Sequence, residues 1–259
     1  MRRWLRISRL ILHIMRGLII CACVFPFAST HRHKHEIRRW SAQLLALLAV
    51  KLHVHGAAED SRPLMLVANH VSWLDIVSIH AVLPVRFIAK SEIRHWPLVG
   101  WLAERTGTLF IRRARRRDTA LINTQARDAL LAGDVVAVFP EGGASDGTGL
   151  LKFHSSLLEP AIAVDAGVQP VAIRYLRSDG SWCTEAVYFE RRSTWQVLLA
   201  MTTQRRIEAH VWYLEPIRET QLHRRELVAQ AREAIAQTLF PPEQSNRIET
   251  DDDRRAAER

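Results

Sequence analysis

The chain shows two different patterns of apolar and polar residues, and the change between them falls near residue 60. Before that point, two long apolar runs, 10–29 and 40–54, are separated by a basic, histidine-rich stretch. Beyond it, short apolar runs alternate with amphipathic stretches. Apolar strands that alternate with helices are typical of an α/β sheet covered on both faces. The pattern therefore predicts a mixed, mostly parallel sheet with helices on both faces, preceded by an N-terminal helical hairpin.

The individual elements follow from the same pattern. The segments predicted as strands are 63–68, 85–89, 108–112, 135–139, 169–175, 186–190 and 208–214. The segments predicted as helices beyond the hairpin are 73–83, 93–105, 119–131, 194–203 and 221–239. We expect three units, which are a membrane-associated hairpin at 1–58, a globular α/β domain at 59–240 and a polar, flexible tail at 241–259.

The N-terminal region has the composition of a segment that lies on an anionic membrane. Its first apolar run has about the 20 residues that cross a bilayer, but His13 and Arg16 interrupt it. Residues 1–60 carry ten basic side chains against three acidic ones. We therefore predict a hairpin embedded in one leaflet, with its basic side chains at the lipid headgroups. A single membrane span is the alternative.

Composition and charge exclude several classes of protein. The 259 residues are 48% hydrophobic and 24% charged, which is enough for a core and excludes disorder throughout. The chain has a net charge of +9, but residues 61–240 carry only +4, so a membrane is favoured over nucleic acid as the anionic partner. Three cysteines without zinc spacing favour a reducing, cytoplasmic side. The basic side chains between His31, His33 and His35 would repel a cation, so no metal site is predicted.

The first chemical motif is Asn-His-Val-Ser-Trp-Leu-Asp, residues 69–75. Ser72 and Asp75 have the spacing of a capping box, which starts a helix at Ser72 and leaves His70 in the preceding turn. From that turn the His70 ring can fold back to the Asp75 carboxylate. A histidine oriented by a carboxylate removes protons from hydroxyl groups, and the chain has no G-x-S-x-G nucleophile motif. We expect His70 to act as general base on a substrate hydroxyl; the alternative is that Asp75 only caps the helix.

Two further motifs end predicted strands. Residues 107–112 (Gly-Thr-Leu-Phe-Ile-Arg) place a guanidinium at a strand end, which suits a phosphate or carboxylate headgroup. Residues 139–142 (Phe-Pro-Glu-Gly) follow a buried strand, where glycine lets backbone amides approach a ligand. Taken alone, the second of these is as compatible with an ordinary turn as with a binding loop.

In this order, the motifs N-H-x4-D, G-x-x-F-I-R and F-P-E-G resemble the glycerolipid acyltransferase family, which includes 1-acylglycerol-3-phosphate acyltransferases. The resemblance covers about residues 60–215. It implies an enzyme at the cytoplasmic face of the membrane that moves a fatty acyl group from acyl-CoA or acyl carrier protein to the hydroxyl of a lysolipid, without a cofactor. It implies that His70 and Asp75 are catalytic. The residues it implies for substrate binding are Asn69, Gly107, Phe110, Arg112, Phe139, Pro140, Glu141 and Gly142.

The sequence departs from the family at one place in the third motif. Where lysophosphatidate enzymes commonly read F-P-E-G-T-R-S, this chain has Gly143 and Ala144. The missing Arg would bind phosphate, and a charge-assisted contact of this kind is worth about 1.5 to 3 kcal/mol. Arg112 and Lys152 are the remaining candidates for that charge.

The acceptor is therefore open between two headgroups. The default is 1-acylglycerol-3-phosphate, which would give phosphatidic acid. However, the F-P-E-G-x-x-S-D-G form of residues 139–147 also resembles enzymes that acylate lyso-ornithine lipid, whose headgroup carries no phosphate. Alternatives from other classes are a lipid hydrolase that activates water with the same histidine and aspartate, and a basic protein that binds anionic surfaces.

Overall fold

The computed structural model describes residues 2–59, 62–111, 116–187, 194–218 and 222–241. Its strands are β1 (Val50–His55), β2 (Leu64–Ala68), β3 (Arg86–Lys90), β4 (Leu109–Ile111), β5 (Val135–Val138), β6 (Gly167–Arg177) and β7 (Ile207–Tyr213). They form one seven-stranded sheet in the order β1-β7-β6-β2-β5-β3-β4.

Five neighbouring strands of the sheet, from β6 to β4, run parallel to one another. β7 pairs antiparallel with β6, and β1 pairs parallel with β7, so two strands at one side run in the opposite direction. The prediction of a mixed, mostly parallel sheet is confirmed. Its central strand, β2, is buried along its whole length, as expected of the unbroken apolar run Leu-Met-Leu-Val-Ala.

Helices cover both faces of this sheet. They are α1 (Arg2–Ile19), α2 (Thr30–Leu47), α3 (Leu74–Val82), α4 (Val99–Arg105), α5 (Arg116–Leu131), α6 (Glu159–Ala163), α7 (Thr194–Met201) and α8 (Arg224–Leu239). On one face, α2, α3 and α7 pack over Leu64 and Leu66. On the opposite face, α5, α6 and α8 pack over Met65 and Val67. Alternate side chains of β2 therefore enter two separate cores.

The N-terminal hairpin differs from its prediction at both ends of the second helix. The Ser29 side chain accepts a hydrogen bond from the Arg32 amide and caps α2, so the histidine-rich stretch 31–39 is helix rather than connector. The actual bend is a short π-helical and 3-10 segment that contains Pro26. Residues 50–55, assigned by the sequence to the second helix, form the edge strand β1, whose β-branched Val50 and Val54 suit an extended backbone.

The two N-terminal helices have different environments. Leu44, Leu45 and Leu48 at the end of α2 are buried in the core that covers the sheet. α1 contributes Leu10 to that core but exposes a row of apolar side chains that includes Trp4, Leu12 and Ile19. Within the described residues, Trp4–Phe27 is the one helical segment long and apolar enough to cross a membrane. An embedded hairpin and a single span both stay predictions.

Two further elements differ from their prediction. The predicted helix 93–105 is divided into a 3-10 turn, Ser91–His95, and α4, because Pro97 interrupts it and Leu98 has a positive φ of 62°. In the predicted strand 186–190, Ala186 and Val187 lie in a turn, and the other three residues lie outside the described part. The division of the chain at residues 58 and 240 stays a prediction, and the tail beyond residue 241 lies outside the described residues.

Candidate active site

The motifs at 69–75 and 139–147 meet at one edge of the sheet because they follow neighbouring parallel strands. β2 and β5 lie side by side, so their carboxyl ends open at the same edge. After β2 the chain passes to α3 on one face, and after β5 it passes to α6 on the opposite face. In parallel sheets, substrates bind in the crevice where neighbouring connections diverge in this way. This edge is therefore the candidate site.

The Asp75 side chain is fully buried, with no exposed surface. One carboxylate oxygen, Oδ2, accepts hydrogen bonds from His70 Nδ1 at 2.8 Å and from the backbone amides of Val71 and Ser72 at 2.8 and 2.9 Å. The same oxygen therefore holds the turn and contacts the histidine, so Asp75 does more than cap the helix, while the role of His70 as general base stays a prediction. α3 itself begins at Leu74, whose amide donates to Ser72 Oγ at 3.2 Å.

The His70 ring is held on two sides. The Phe139 ring stacks on it with 4.2 Å between centroids, and Asp75 fixes its edge through Nδ1. A carboxylate accepts and does not donate, so Nδ1 carries the proton of that hydrogen bond and Nε2 keeps the lone pair in the neutral ring. The His70 side chain is 18% exposed, whereas Asp75 behind it is fully enclosed. This arrangement suits a general base that reaches a substrate from one side.

The second carboxylate oxygen of Asp75 has a partner that the sequence analysis did not find. Tyr175 on β6 donates its hydroxyl to Oδ1 at 2.8 Å, and this side chain is fully buried. Burial and the adjacent Asp75 carboxylate raise the pKa of Tyr175 well above its usual value, so the hydroxyl keeps its proton as a donor. The signal in the sequence is a tyrosine in the mainly apolar run 171–176, which also contains Arg174. That signal does not identify the partner of the tyrosine hydroxyl.

Asn69, predicted as a substrate-binding residue, is buried and joins two strands. Its side-chain nitrogen donates to the Ile173 carbonyl at 3.0 Å, and its side-chain oxygen accepts from the Ile173 amide at 2.8 Å. These bonds extend the β2–β6 ladder one step beyond Ala68, which pairs with Val171. Both polar atoms of the side chain are engaged by backbone, so Asn69 fixes the strand end that carries His70, and its contact with substrate stays a prediction.

Glu141 is also buried and positions backbone. One carboxylate oxygen accepts from the His70 amide at 2.8 Å and the other accepts from the Leu151 amide at 3.0 Å. Burial raises the pKa of the Glu141 carboxyl, and the two amides act in the opposite direction. The side chain thus clamps the loop after β5 to the catalytic turn. Its predicted contact with the acceptor stays a prediction.

The loop that follows Glu141 folds over the backbone of His70. The Ser145 amide donates to the His70 carbonyl at 2.8 Å. Gly147 has a φ of +80°, and a Cβ there would lie 2.4 Å from the Trp182 ring, so this position requires glycine. Gly142 also has a positive φ, 77°, and its amide donates to the Phe139 carbonyl. Gly143 and Ala144 lie between these fixed points.

Known proteins share this chain's pattern and fold. A family model described as Acyltransferase matches residues 50–174. The lyso-ornithine lipid O-acyltransferase of Pseudomonas aeruginosa is 38% identical over 246 residues, which cover 93% of this chain and 94% of that protein. The chain belongs to the lysolipid acyltransferase family.

Two other relatives extend this comparison. The 1-acyl-sn-glycerol-3-phosphate acyltransferase of Neisseria meningitidis is 44% identical over 138 residues, about half of each protein. The crystal structure of the 1-acyl-sn-glycerophosphate acyltransferase PlsC from Thermotoga maritima has a TM-score of 0.64 at 22% identity, and it covers 90% of this chain. At that identity the structural likeness establishes the fold of this acyltransferase.

The remaining predicted site residues are not all at the catalytic edge. Pro140 is buried beside Glu141, and its carbonyl accepts from the His154 amide at 2.9 Å. Gly107 lies at the opposite edge of the sheet, since its carbonyl accepts from Arg86 at the start of β3. The predicted contact of Gly107 with the acceptor stays a prediction. Arg112 lies outside the described residues, and Lys152 is exposed beside the Glu141 clamp.

Phe110 lines a separate groove of the acyltransferase. This groove has a volume of about 780 Å³ and lies between the 3-10 turn at 91–95, α4, β4 and the start of α5. Its walls include the apolar side chains of Trp96, Leu98, Trp101 and Leu121. Neither His70 nor Asp75 contributes to its lining. The groove lies at β4, which β5 and β3 separate from β2, and it is distinct from the His70–Asp75 pair.

The two hydrogen bonds between the Asn69 side chain and the Ile173 backbone give a test of the fold at this site. Asn69→Ala leaves the amide and the carbonyl of Ile173 buried without their partner, and each such group costs about 1 to 3 kcal/mol. We expect urea denaturation of the variant to give a free energy of unfolding lower by about 2 to 4 kcal/mol.

The matched control is Asn123→Ala, which removes one longer hydrogen bond, 3.4 Å, to the Ser156 carbonyl. That change is expected to cost less than about 1 kcal/mol. Equal losses in the two variants would contradict the role assigned to Asn69.

Proposed function

We propose that this chain is an O-acyltransferase that completes ornithine lipid, by moving a fatty acyl group from an acyl thioester to the hydroxyl of lyso-ornithine lipid. The observation that carries the choice of acceptor is the loop after β5. That loop folds over the His70 backbone through Ser145 and has Gly143 and Ala144 where a phosphate-binding guanidinium would stand.

The reaction needs one base and one pre-activated acyl group. His70 Nε2 takes the proton of the acceptor hydroxyl while its oxygen attacks the thioester carbonyl. The carbon–sulfur bond then breaks, and the leaving thiolate takes the proton back from the imidazolium. Asp75 stabilises that imidazolium through Nδ1, which is the atom it contacts at 2.8 Å. No cofactor and no enzyme-bound acyl intermediate are required.

The charge of the loop favours an acceptor without phosphate. Thr148 donates its amide and its hydroxyl to Asp146, and these bonds hold the pKa of the Asp146 carboxyl below its usual value. The loop thus has an exposed anion two positions after Ala144, where a phosphate would need a cation. An ornithine headgroup carries an ammonium and a carboxylate, so it tolerates this environment. The full-length similarity to a lyso-ornithine lipid O-acyltransferase supports the same acceptor.

The second candidate acceptor is 1-acylglycerol-3-phosphate, the default of the sequence analysis. It is favoured by the 44% identity to the Neisseria meningitidis enzyme over about half of the chain. In that case Lys152, exposed beside the Glu141 clamp, or Arg112 would have to supply the missing charge. The product would then be phosphatidic acid.

The donor and the membrane arrangement complete the proposal. Acyl-CoA and acyl carrier protein both present a thioester, and either is compatible with this mechanism. We expect the exposed apolar face of α1 and the basic N-terminal side chains to hold the enzyme on anionic lipid at the cytoplasmic face. The groove that Phe110 lines has apolar side chains in its walls, which are suited to an acyl chain.

The direct test offers the purified protein both acceptors in parallel, with labelled acyl-CoA and with labelled acyl carrier protein. We expect a higher kcat/KM for lyso-ornithine lipid than for lysophosphatidate. His70→Ala is expected to lower kcat for either acceptor by about 100-fold or more, the range lost with a general base. Circular dichroism and vesicle binding would check that the variant is folded.

His154→Ala is the matched control, because His154 is exposed and uses its backbone amide rather than its ring in this region. It should keep nearly full activity. Near-normal turnover by His70→Ala would contradict the mechanism, and release of free fatty acid without an acceptor would indicate a hydrolase. A preference for lysophosphatidate would overturn the proposed acceptor while leaving the mechanism intact.

A second test restores the missing guanidinium. Ala144→Arg places a cation in the loop, and a charge-assisted contact to phosphate should raise kcat/KM for lysophosphatidate by about tenfold or more. Activity on lyso-ornithine lipid should rise less or fall. Ala144→Met adds comparable length without charge and serves as the control. Equal changes in the two variants would show that the loop does not contact the headgroup.

A further inference from the structure

The Asp75 carboxylate is held differently at its two oxygens. Oδ2 has three donors, from the His70 ring and two backbone amides of the same turn. Oδ1 accepts from Tyr175, which approaches from another strand, 100 residues later in the sequence. Asp75 and Tyr175 both have no exposed surface, so water does not replace this bond.

We propose that Tyr175 is a positioning residue for the acyl transfer, which holds Asp75 so that Oδ2 faces His70 and tunes how strongly Asp75 attracts the imidazole proton. The inference rests on the proposed role of His70 as general base. It concerns a residue outside all three sequence motifs.

The first part of the argument is geometric. A carboxylate can rotate about its bond to Cβ, and only one orientation directs Oδ2 at the His70 ring and at two amides together. Tyr175 sits on β6, the neighbour of β2 in the sheet, and its backbone is fixed by the antiparallel pairing with β7, where it pairs with Ala209. Its bond to Oδ1 therefore blocks rotation from a rigid element. Catalytic groups depend on such support, because small displacements of a base lower the rate strongly.

The second part of the argument is electrostatic. A hydrogen bond to Oδ1 draws negative charge toward Tyr175 and away from Oδ2. Loss of that donor would leave more charge on the oxygen that faces His70, and this favours the protonated ring. A general base must be unprotonated, so the acid limb of the rate profile would move to higher pH.

A serine extends the chain of hydrogen bonds. Ser78 Oγ on α3 lies 3.3 Å from the Tyr175 oxygen and is fully buried. Because Tyr175 uses its proton on Asp75, Ser78 donates and Tyr175 accepts. This second bond polarises the tyrosine hydroxyl and strengthens its donation to Asp75. Ser78→Ala should therefore shift the profile in the same direction by a smaller amount.

Other ionisable groups around His70 in the described residues are few. Asp75 faces its ring from α3, and Glu141, from the loop after β5, accepts from its backbone amide. The Phe139 ring, which does not titrate, stacks on one face of the imidazole. A shift of the acid limb in a Tyr175 variant is therefore transmitted through Asp75, provided that Glu141 is unchanged.

The experiment compares Tyr175→Phe with Tyr213→Phe in the full chain. Tyr213 lies in the same core, and its hydroxyl is buried without a hydrogen-bond partner among the described residues, so it controls for loss of a buried oxygen. The measurements are kcat, KM and the pH dependence of kcat/KM, each with wild type and His70→Ala in parallel.

For Tyr175→Phe we expect a kcat about 10- to 100-fold lower with KM changed less than about threefold, as for a lost hydrogen bond to a charged group. The acid limb should move to higher pH. Tyr213→Phe should leave kcat and the profile unchanged. If Tyr175→Phe is folded but keeps the wild-type profile and kcat, the inference is wrong. If His70→Ala is also as active as wild type, the proposed function has failed as well.

If Tyr175→Phe does not fold, the pH profile of Ser78→Ala tests the proposed role of Tyr175 instead. This variant keeps the aromatic ring in the core and removes only the donor to the tyrosine oxygen. A smaller upward shift of its acid limb supports the chain from Ser78 through Tyr175 to Asp75. An unchanged profile overturns it.

Discussion

A carboxylate without any exposed surface, Asp75, organises the catalytic edge of this acyltransferase. Burial of such a group is costly unless every oxygen is hydrogen-bonded, and its donors come from the turn after β2 and from β6. The need to satisfy this carboxylate therefore fixes the turn, the histidine ring and the position of a distant tyrosine at the same time. The same bonds that stabilise the fold also orient the His70 ring.

The sheet order explains why the site lies where it does. β2 is central and has β5 on one side and β6 on the other, so the turn that carries His70 has a neighbour on each side. From β5 come Phe139, which stacks on the ring, and Glu141, which binds the backbone amide of His70. From β6 come Ile173, which pairs with Asn69, and Tyr175. The turn that carries His70 is thus held by two neighbouring strands, and the loop that follows Glu141 is bound to that turn through Ser145.

Local patterns in the sequence predicted most of the sheet and the contact between His70 and Asp75. The strand β2 and the spacing from His70 to Asp75 depend on neighbours in the chain, and such features are visible as runs and capping signals. The edge strand β1 was missed because its six residues follow an apolar run that reads equally well as helix, and its pairing partner lies 157 residues later. The substrate contacts of the motif at 107–112 stay a prediction, because a motif does not show which of its side chains reach a ligand.

The contacts that sequence could not give are those between distant residues. Tyr175 reaches Asp75 only because β6 pairs with β2, and the buried roles of Asn69 and Glu141 depend on the same pairing and on the loop after β5. A motif indicates which side chains matter but not whether they meet substrate or backbone. The distinction between a residue that touches the acceptor and one that holds the base is a property of the folded sheet.

The central claim is that Asp75 holds the proton of neutral His70 on Nδ1 and leaves Nε2 as the base. Nitrogen-15 NMR of histidine-labelled protein, with the His70 signal assigned from a His70→Ala sample, reads the tautomer directly. The account predicts a protonated Nδ1 and an unprotonated Nε2 for the neutral ring. A neutral His70 that carries its proton on Nε2 would contradict it, because the bond to Asp75 would then be absent and the base would face the wrong way.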